Sequence, residues 1–189
     1  MTRPLARLAI LALLAPALQG CVPVVATGVG AAALMAADRR TTGIYIEDEN
    51  IEWKAAGRLK NDVTGSHVNA TSYNRRVLLT GEVPTEAAKK QIEDSIRSIP
   101  SVREVVNELQ VGGNSSMTAR GNDALITSNV KARMVNQPKF SPTNIKVVTE
   151  ANVAYLMGLV TQEEADAAVE VARNTQGVSR VVKVFEYTR

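Results

Sequence analysis

The sequence predicts an α+β protein of two tandem small domains, each with the order α-β-β-α-β and each a three-stranded sheet packed on two helices. Three observations carry this. The apolar run Val77–Val83, ending in Gly81-Glu82-Val83, returns as Ala154–Val160, ending in Gly158-Leu159-Val160. Each run leads into an acidic, alanine-rich segment, Glu86-Ala87-Ala88 in the first and Glu163-Glu164-Ala165 in the second. Further on, Val102-Arg103-Glu104-Val105-Val106 matches Val178-Ser179-Arg180-Val181-Val182. The copies lie 77 residues apart at the glycines and 76 at the valines, and so steady an offset marks a duplicated domain.

The first domain is assigned to residues 44–111. Ile51, Ala55 and Leu59 recur every four residues and give one buried helical stripe. His67–Ser72 alternates, with Val68 and Ala70 on one face, and Tyr73-Asn74-Arg75-Arg76 turns into the strand Val77–Thr80 to make a hairpin. Gly81 ends that strand, where a positive φ or a close backbone approach is expected. A helix over 85–98 buries Ala88, Ile92, Ile96 and Ile99 and stops at Pro100. Val102–Val111 closes the domain, with Val102, Val106 and Leu109 expected to face inward.

Residues 112–121 form a polar linker that begins Gly112-Gly113-Asn114-Ser115-Ser116. The second domain, 122–189, repeats the order. Ile126, Val130 and Met134 form the helical stripe; Ile145, Val147 and Thr149 form a strand; Glu150-Ala151-Asn152 turns into Tyr155–Met157. Thr161-x-x-Glu164 is a capping box that opens a helix from Gln162 to about Thr175, and Val178–Tyr187 is the last strand. Gly158 is expected to hold the same backbone geometry as Gly81.

The N-terminus is an address. Arg3 and Arg7 precede the apolar run Leu8–Ala15, the order of a secretory signal over residues 1–20 that is too short to span a bilayer. Leu18-Gln19-Gly20-Cys21 resembles a bacterial lipobox, and Cys21 is the chain's one cysteine. The resemblance implies S-diacylglycerol and N-acyl lipid on Cys21, behind which 21–43 is a tether. Val22, and not Asp, follows the cysteine, which favours the outer membrane, periplasmic face. The uncharged stretch 22–37 is either a flexible spacer or a segment resting among lipid headgroups. Removing Arg3 and Arg7 leaves a nearly neutral chain from the stated +3, so the basic balance does not indicate nucleic acid.

The doubled order, the Gly-x-Val strand ends, the acidic helices and the Val-x-x-Val-Val strands resemble the BON domain (bacterial OsmY and nodulation). Two such domains behind a lipobox are similar to the dual-BON outer-membrane lipoproteins of Gram-negative bacteria. The resemblance implies a non-enzymatic protein that supports envelope integrity. It also implies a second domain that binds anionic phospholipid, such as phosphatidylglycerol or cardiolipin.

Nothing points to catalysis, a metal or another cofactor. His67 is the one histidine, the position aligned with it is Asn144, and Glu86 and Glu163 open helices where the dipole favours negative charge. A binding surface is legible on the first helix of the second domain. Taking Ile126, Val130 and Met134 as the buried centre, the opposite face holds Ala124, Leu125, Ser128, Ala132 and Val135, edged by Lys131. Residues 120–146 carry Arg120, Lys131, Arg133, Lys139 and Lys146 against Asp123 alone. An apolar strip beside positive charge fits an anionic bilayer, with Phe140 in the following loop expected to insert beside it. The alternative is that Leu125 and Val135 pack on the first domain. In that domain Trp53 and Lys60 lie on the outer helical face near Glu47, Asp48, Glu49 and Glu52. That composition suits a domain–domain or protein-partner anchor, and so a structural adaptor for envelope-assembly or division machinery, with a place at the membrane interface as the alternative for Trp53.

Overall fold

Asn74 and Arg75, with φ of 52° and 63°, and Ala151 and Asn152, with φ of 48° and 61°, form the two-residue turns of the hairpins. Positive φ at both central positions matches the right-handed twist of the flanking strands. The computed structural model describes residues 38–62 and 65–188; Cys21, the signal segment and the tether to residue 37 lie outside them. The elements are α1 (Thr42–Asp62), β1 (His67–Tyr73), β2 (Arg76–Val83), α2 (Glu86–Arg97), β3 (Glu104–Asn107) and β4 (Gln110–Val111). They continue with α3 (Met117–Val135), a 3-10 turn at Pro142–Asn144, β5 (Ile145–Glu150), β6 (Val153–Val160), α4 (Gln162–Arg173) and β7 (Arg180–Tyr187). One sheet runs β1-β2-β3, with β4 also on β2, and the other β5-β6-β7. β1 and β5 pair antiparallel, while β3, β4 and β7 pair parallel. The α-β-β-α-β order holds in both copies.

Each sheet buries one face under its own helices. Ile51, Ala55, Ile92 and Ile96 meet Val77, Leu79 and Val83 in the first core, and Ile126, Val130, Met134 and Ala168 meet Leu156 and Val160 in the second. The opposite faces pack on each other: Tyr73 and Leu78 of the first sheet share a cluster with Tyr155, Met157 and Val184 of the second. The layers therefore run helices, sheet, sheet, helices, and the two repeats touch through their sheets. This explains one difference from expectation. Val105 and Leu109 face the first core, whereas Val106 faces the inter-sheet cluster. Both faces of the sheet are apolar, so alternation does not reveal which is inward. The closing strand also breaks after Asn107, whose Oδ1 accepts from the Leu109 N–H at 3.2 Å and so competes with the ladder.

The two strand-end glycines occupy equivalent places for one shared reason. A Cβ on Gly81 would lie 1.9 Å from the His67 carbonyl oxygen, and one on Gly158 2.5 Å from that of Asn144. Positive φ is confined to Gly81, at 114°. The expected common geometry is thus a close approach of the neighbouring strand, with the left-handed backbone added in one copy.

Candidate functional site

α3 turns its buried stripe, Ile126, Val130 and Met134, onto the second core. Its first residues are capped by the Ser116 hydroxyl, which accepts from the Ala119 N–H. The outer face stands free as expected: Ala124, Leu125, Ser128, Lys131, Ala132 and Val135 are exposed, Leu125 by 65% and Val135 by 66%. The alternative in which Leu125 and Val135 pack on the first domain does not hold, because the sheets and not this helix join the repeats. Met117, 78% exposed, belongs to the same face. It lies 18 residues before Val135, five whole turns and roughly 27 Å along the axis. Its periodic relation to Val135 was the signal that sequence reasoning missed.

Phe140 does not join this surface. It is buried in the second core beside Ile145 and Phe185, because the loop after α3 folds back through the 3-10 turn and covers the end of the domain. A buried aromatic side chain brings more apolar area out of water than any neighbour in that loop, which is why the loop closes inward.

The charge balance also shifts once side chains find partners. Lys146 Nζ is 2.6 Å from Glu52 of the first domain. The Arg120 Nε donates to Ser115 Oγ at 3.1 Å. Arg133 donates to the Asn174 carbonyl oxygen at 2.9 Å and, with Lys139, borders a groove that Glu163, Asp166 and Glu170 share. Arg120 and Arg133, bonded to neutral oxygens, keep their charge, and Lys131 stands exposed beside the apolar strip.

On α1, Trp53 is 81% exposed and Ile46 53%, seven residues apart on the outer face, with Lys60 also exposed. Trp53 is therefore no domain–domain anchor. The neighbouring acids are largely structural. Asp48, 2% exposed, accepts from Ser72 Oγ at 2.7 Å, from the Asn74 and Arg75 N–H groups at 2.8 and 2.7 Å, and from Arg40 at 2.8 Å. Asp123 does the same for the second hairpin, accepting from Ala151 and Asn152 at 2.9 and 2.8 Å. Each aspartate sits three residues before the first isoleucine of its helical stripe, Ile51 and Ile126, which is the signal that would have identified the pair.

The tether expected to run to residue 43 is held well before that. Arg40 is buried between Asp38 and Asp48 with its guanidinium 4.0 Å from the Tyr73 ring centre. Arg39 forks onto both oxygens of Glu164 at 2.5 and 2.8 Å, and this partner and the Thr161 cap hold the Glu164 carboxyl below its ordinary range. Thr42 and Gly43 are already helical. Among the described residues no group of His, Cys, Asp and Glu is placed to hold a metal, and no helix is long and apolar enough to cross a membrane.

A family model for the BON domain matches residues 47–113 and again 122–189. The chain is 40% identical to the outer membrane lipoprotein DolP of Haemophilus influenzae over 97% of both chains. It is 32% identical to the 21 kDa hemolysin of Actinobacillus pleuropneumoniae over 80% of each.

Proposed function

This chain belongs to the BON-domain family, and from that premise we propose a non-enzymatic, lipid-anchored module on the periplasmic face of the outer membrane. Its second domain holds anionic phospholipid through the outer face of α3 and so supports envelope integrity. The observation that carries the reading is the free apolar strip Met117–Leu125–Val135 with Lys131 at its edge. A relative named as an outer membrane lipoprotein, matched along nearly its whole length, supports the location.

The magnitudes explain why an anchor is needed. Burying a Leu and a Val side chain contributes about 1.5–3 kcal/mol each relative to full exposure, and these two start partly covered. Lys131 adds about 1 kcal/mol near an anionic surface. Together they reach roughly the 4 kcal/mol of a millimolar site. Acyl chains on Cys21 would hold the domain at the surface and raise the effective concentration of that weak site.

The test is flotation of the unacylated Cys21→Ala chain with liposomes. Binding to phosphatidylglycerol or cardiolipin vesicles over neutral ones is expected, with loss in Leu125→Glu or Val135→Glu at an unchanged melting point. Lys131→Gln should weaken binding less, and most visibly at low salt. If no vesicle binds the parent chain, the reading fails and the adaptor reading gains. That second reading rests on the exposed Trp53 and Ile46 of α1, an aromatic and an aliphatic side chain without a partner in the fold.

A further inference from the structure

β1 lies at the edge of its sheet and pairs with β2 alone. The hairpin closes at Tyr73 and Arg76, so Thr71 and Asn69 turn their hydrogen-bonding groups toward β2 while Ser72, Ala70 and Val68 turn theirs outward. Ser72 is occupied: its N–H donates to Glu52 at 2.7 Å and its carbonyl oxygen accepts from Lys146 at 3.2 Å. Val68 and Ala70 show no such hydrogen bond among the described residues, no proline or charged residue lies in that stretch of β1, and Glu150 of β5 meets only the side chain of the intervening Asn69, at 3.1 Å. An unguarded edge with open N–H and C=O groups is a template for another strand.

Beside this edge lies a cavity of about 510 Å³ whose wall includes Leu59, Val68, Ala70 and Ile92. Its lining also carries Ser66, whose buried hydroxyl has no hydrogen-bond partner, and the exposed Lys60. Glu52, the carboxylate in that lining, is already paired with Lys146. The apolar wall, the unpaired Ser66 hydroxyl and Lys60 share this one cavity, to which β5 of the second domain adds Val148, and it is distinct from the outer face of α3.

We propose that this edge takes an extended peptide segment of a partner protein as a further strand. An apolar side chain of that segment fills the cavity and a carboxylate lies beside Lys60. The open backbone groups of Val68 and Ala70 supply affinity for any extended chain, whereas the cavity and Lys60 select its side chains. The surface is independent of the lipid reading, so a protein held at the membrane through its second domain keeps its first domain available for a partner.

The experiment uses the full acylated chain in detergent micelles and a fluorescent heptapeptide of alternating valine and threonine with one terminal glutamate. Two further peptides carry N-methyl groups on alternate amides, one on the odd set and one on the even set. A strand added to a single edge uses one set only. Fluorescence anisotropy should therefore show one isomer weakened about tenfold or more and the other close to the parent. Lys60→Glu should weaken the glutamate peptide by about tenfold and a lysine-ended version should recover it. Equal binding of both isomers, or no binding of the parent peptide at about 1 mM, overturns the proposal. Because the methyl groups sit on the peptide, the comparison of the two isomers does not depend on whether a variant protein folds, and recovery by the lysine-ended peptide shows that the Lys60→Glu chain is folded.

Discussion

Replacing Asp123 by alanine should cost the second domain about 3–5 kcal/mol. Asp123 is 5% exposed, and its carboxylate accepts from the backbone N–H groups of Ala151 and Asn152 at 2.9 and 2.8 Å. Hydrogen bonds to a charged group are worth roughly 1.5–3 kcal/mol each. The turn they hold is costly in itself, since Ala151 sits at φ 48° and a side chain in the left-handed region costs about 1–2 kcal/mol. Asp123→Asn keeps one acceptor and should lose about half as much. Ala151→Gly should stabilise by about 1 kcal/mol, and added to Asp123→Ala it should recover a similar amount. Urea denaturation of the unacylated chain, followed by far-ultraviolet circular dichroism, reads all four variants. If Asp123→Ala stays within about 1 kcal/mol of the parent, the carboxylate does not hold the turn and the reasoning fails.

Other outcomes follow from the same packing. Alanine at Gly81 should destabilise more than alanine at Gly158. Both would meet a neighbouring carbonyl oxygen, but φ 114° strains the first alone, and thermal melts should rank them so. Burial pushes the phenols of Tyr73 and Tyr155, both in the inter-sheet cluster, up to about 12. The folded state prefers the neutral phenol, so that contribution is whole below pH 10 and is lost as pH rises from about 10 toward 12. Alkaline denaturation of the parent in that window should be blunted by Tyr155→Phe.

What could be read in the residues was what local physics fixes. The apolar periods of both first helices, the hairpin turns and the Thr161–Glu164 capping box all appear, with Thr161 Oγ accepting at 3.3 Å and Glu164 returning to the Thr161 N–H at 2.8 Å. The outer face of α3 was legible for the same reason, since one buried stripe fixes its opposite. Contacts between the repeats were not. Tyr155 and Met157 sit on a strand whose two faces are both apolar, so nothing local separates a helix-facing residue from one that meets the other sheet. Phe140 looked free because a short polar loop surrounds it, yet burial in a core that is distant in sequence outweighed that setting. Asp48 and Asp123 looked like surface charge because a carboxylate on a helix usually is. Their partners lie 24–29 residues away in the turns.

The root of the tether joins these themes. Arg40 meets Asp48, the clamp of the first hairpin, and Arg39 meets Glu164, the cap of α4 in the second domain. Adjacent residues therefore grip both repeats. The two grips differ in strength. The Arg40 side chain is 7% exposed and its partners 9% and 3%, so removing it leaves buried carboxylates uncompensated, at roughly 3–5 kcal/mol. The Arg39 side chain is 34% exposed, and its pair with Glu164 contributes about 1 kcal/mol or less. Pulling on the anchor should then release Arg39 first and leave Arg40 seated. Trypsin reads this, because both arginines are cleavage sites only when free of their partners. In the native chain, cleavage after Arg40 should be slow. Glu164→Gln should speed cleavage after Arg39 several-fold without exposing Arg40, whereas Asp48→Asn should expose Arg40 as well. Rapid cleavage between Arg40 and Thr41 in the unaltered protein, seen by mass spectrometry as a fragment beginning at Thr41, would mean the tether is not gripped at all.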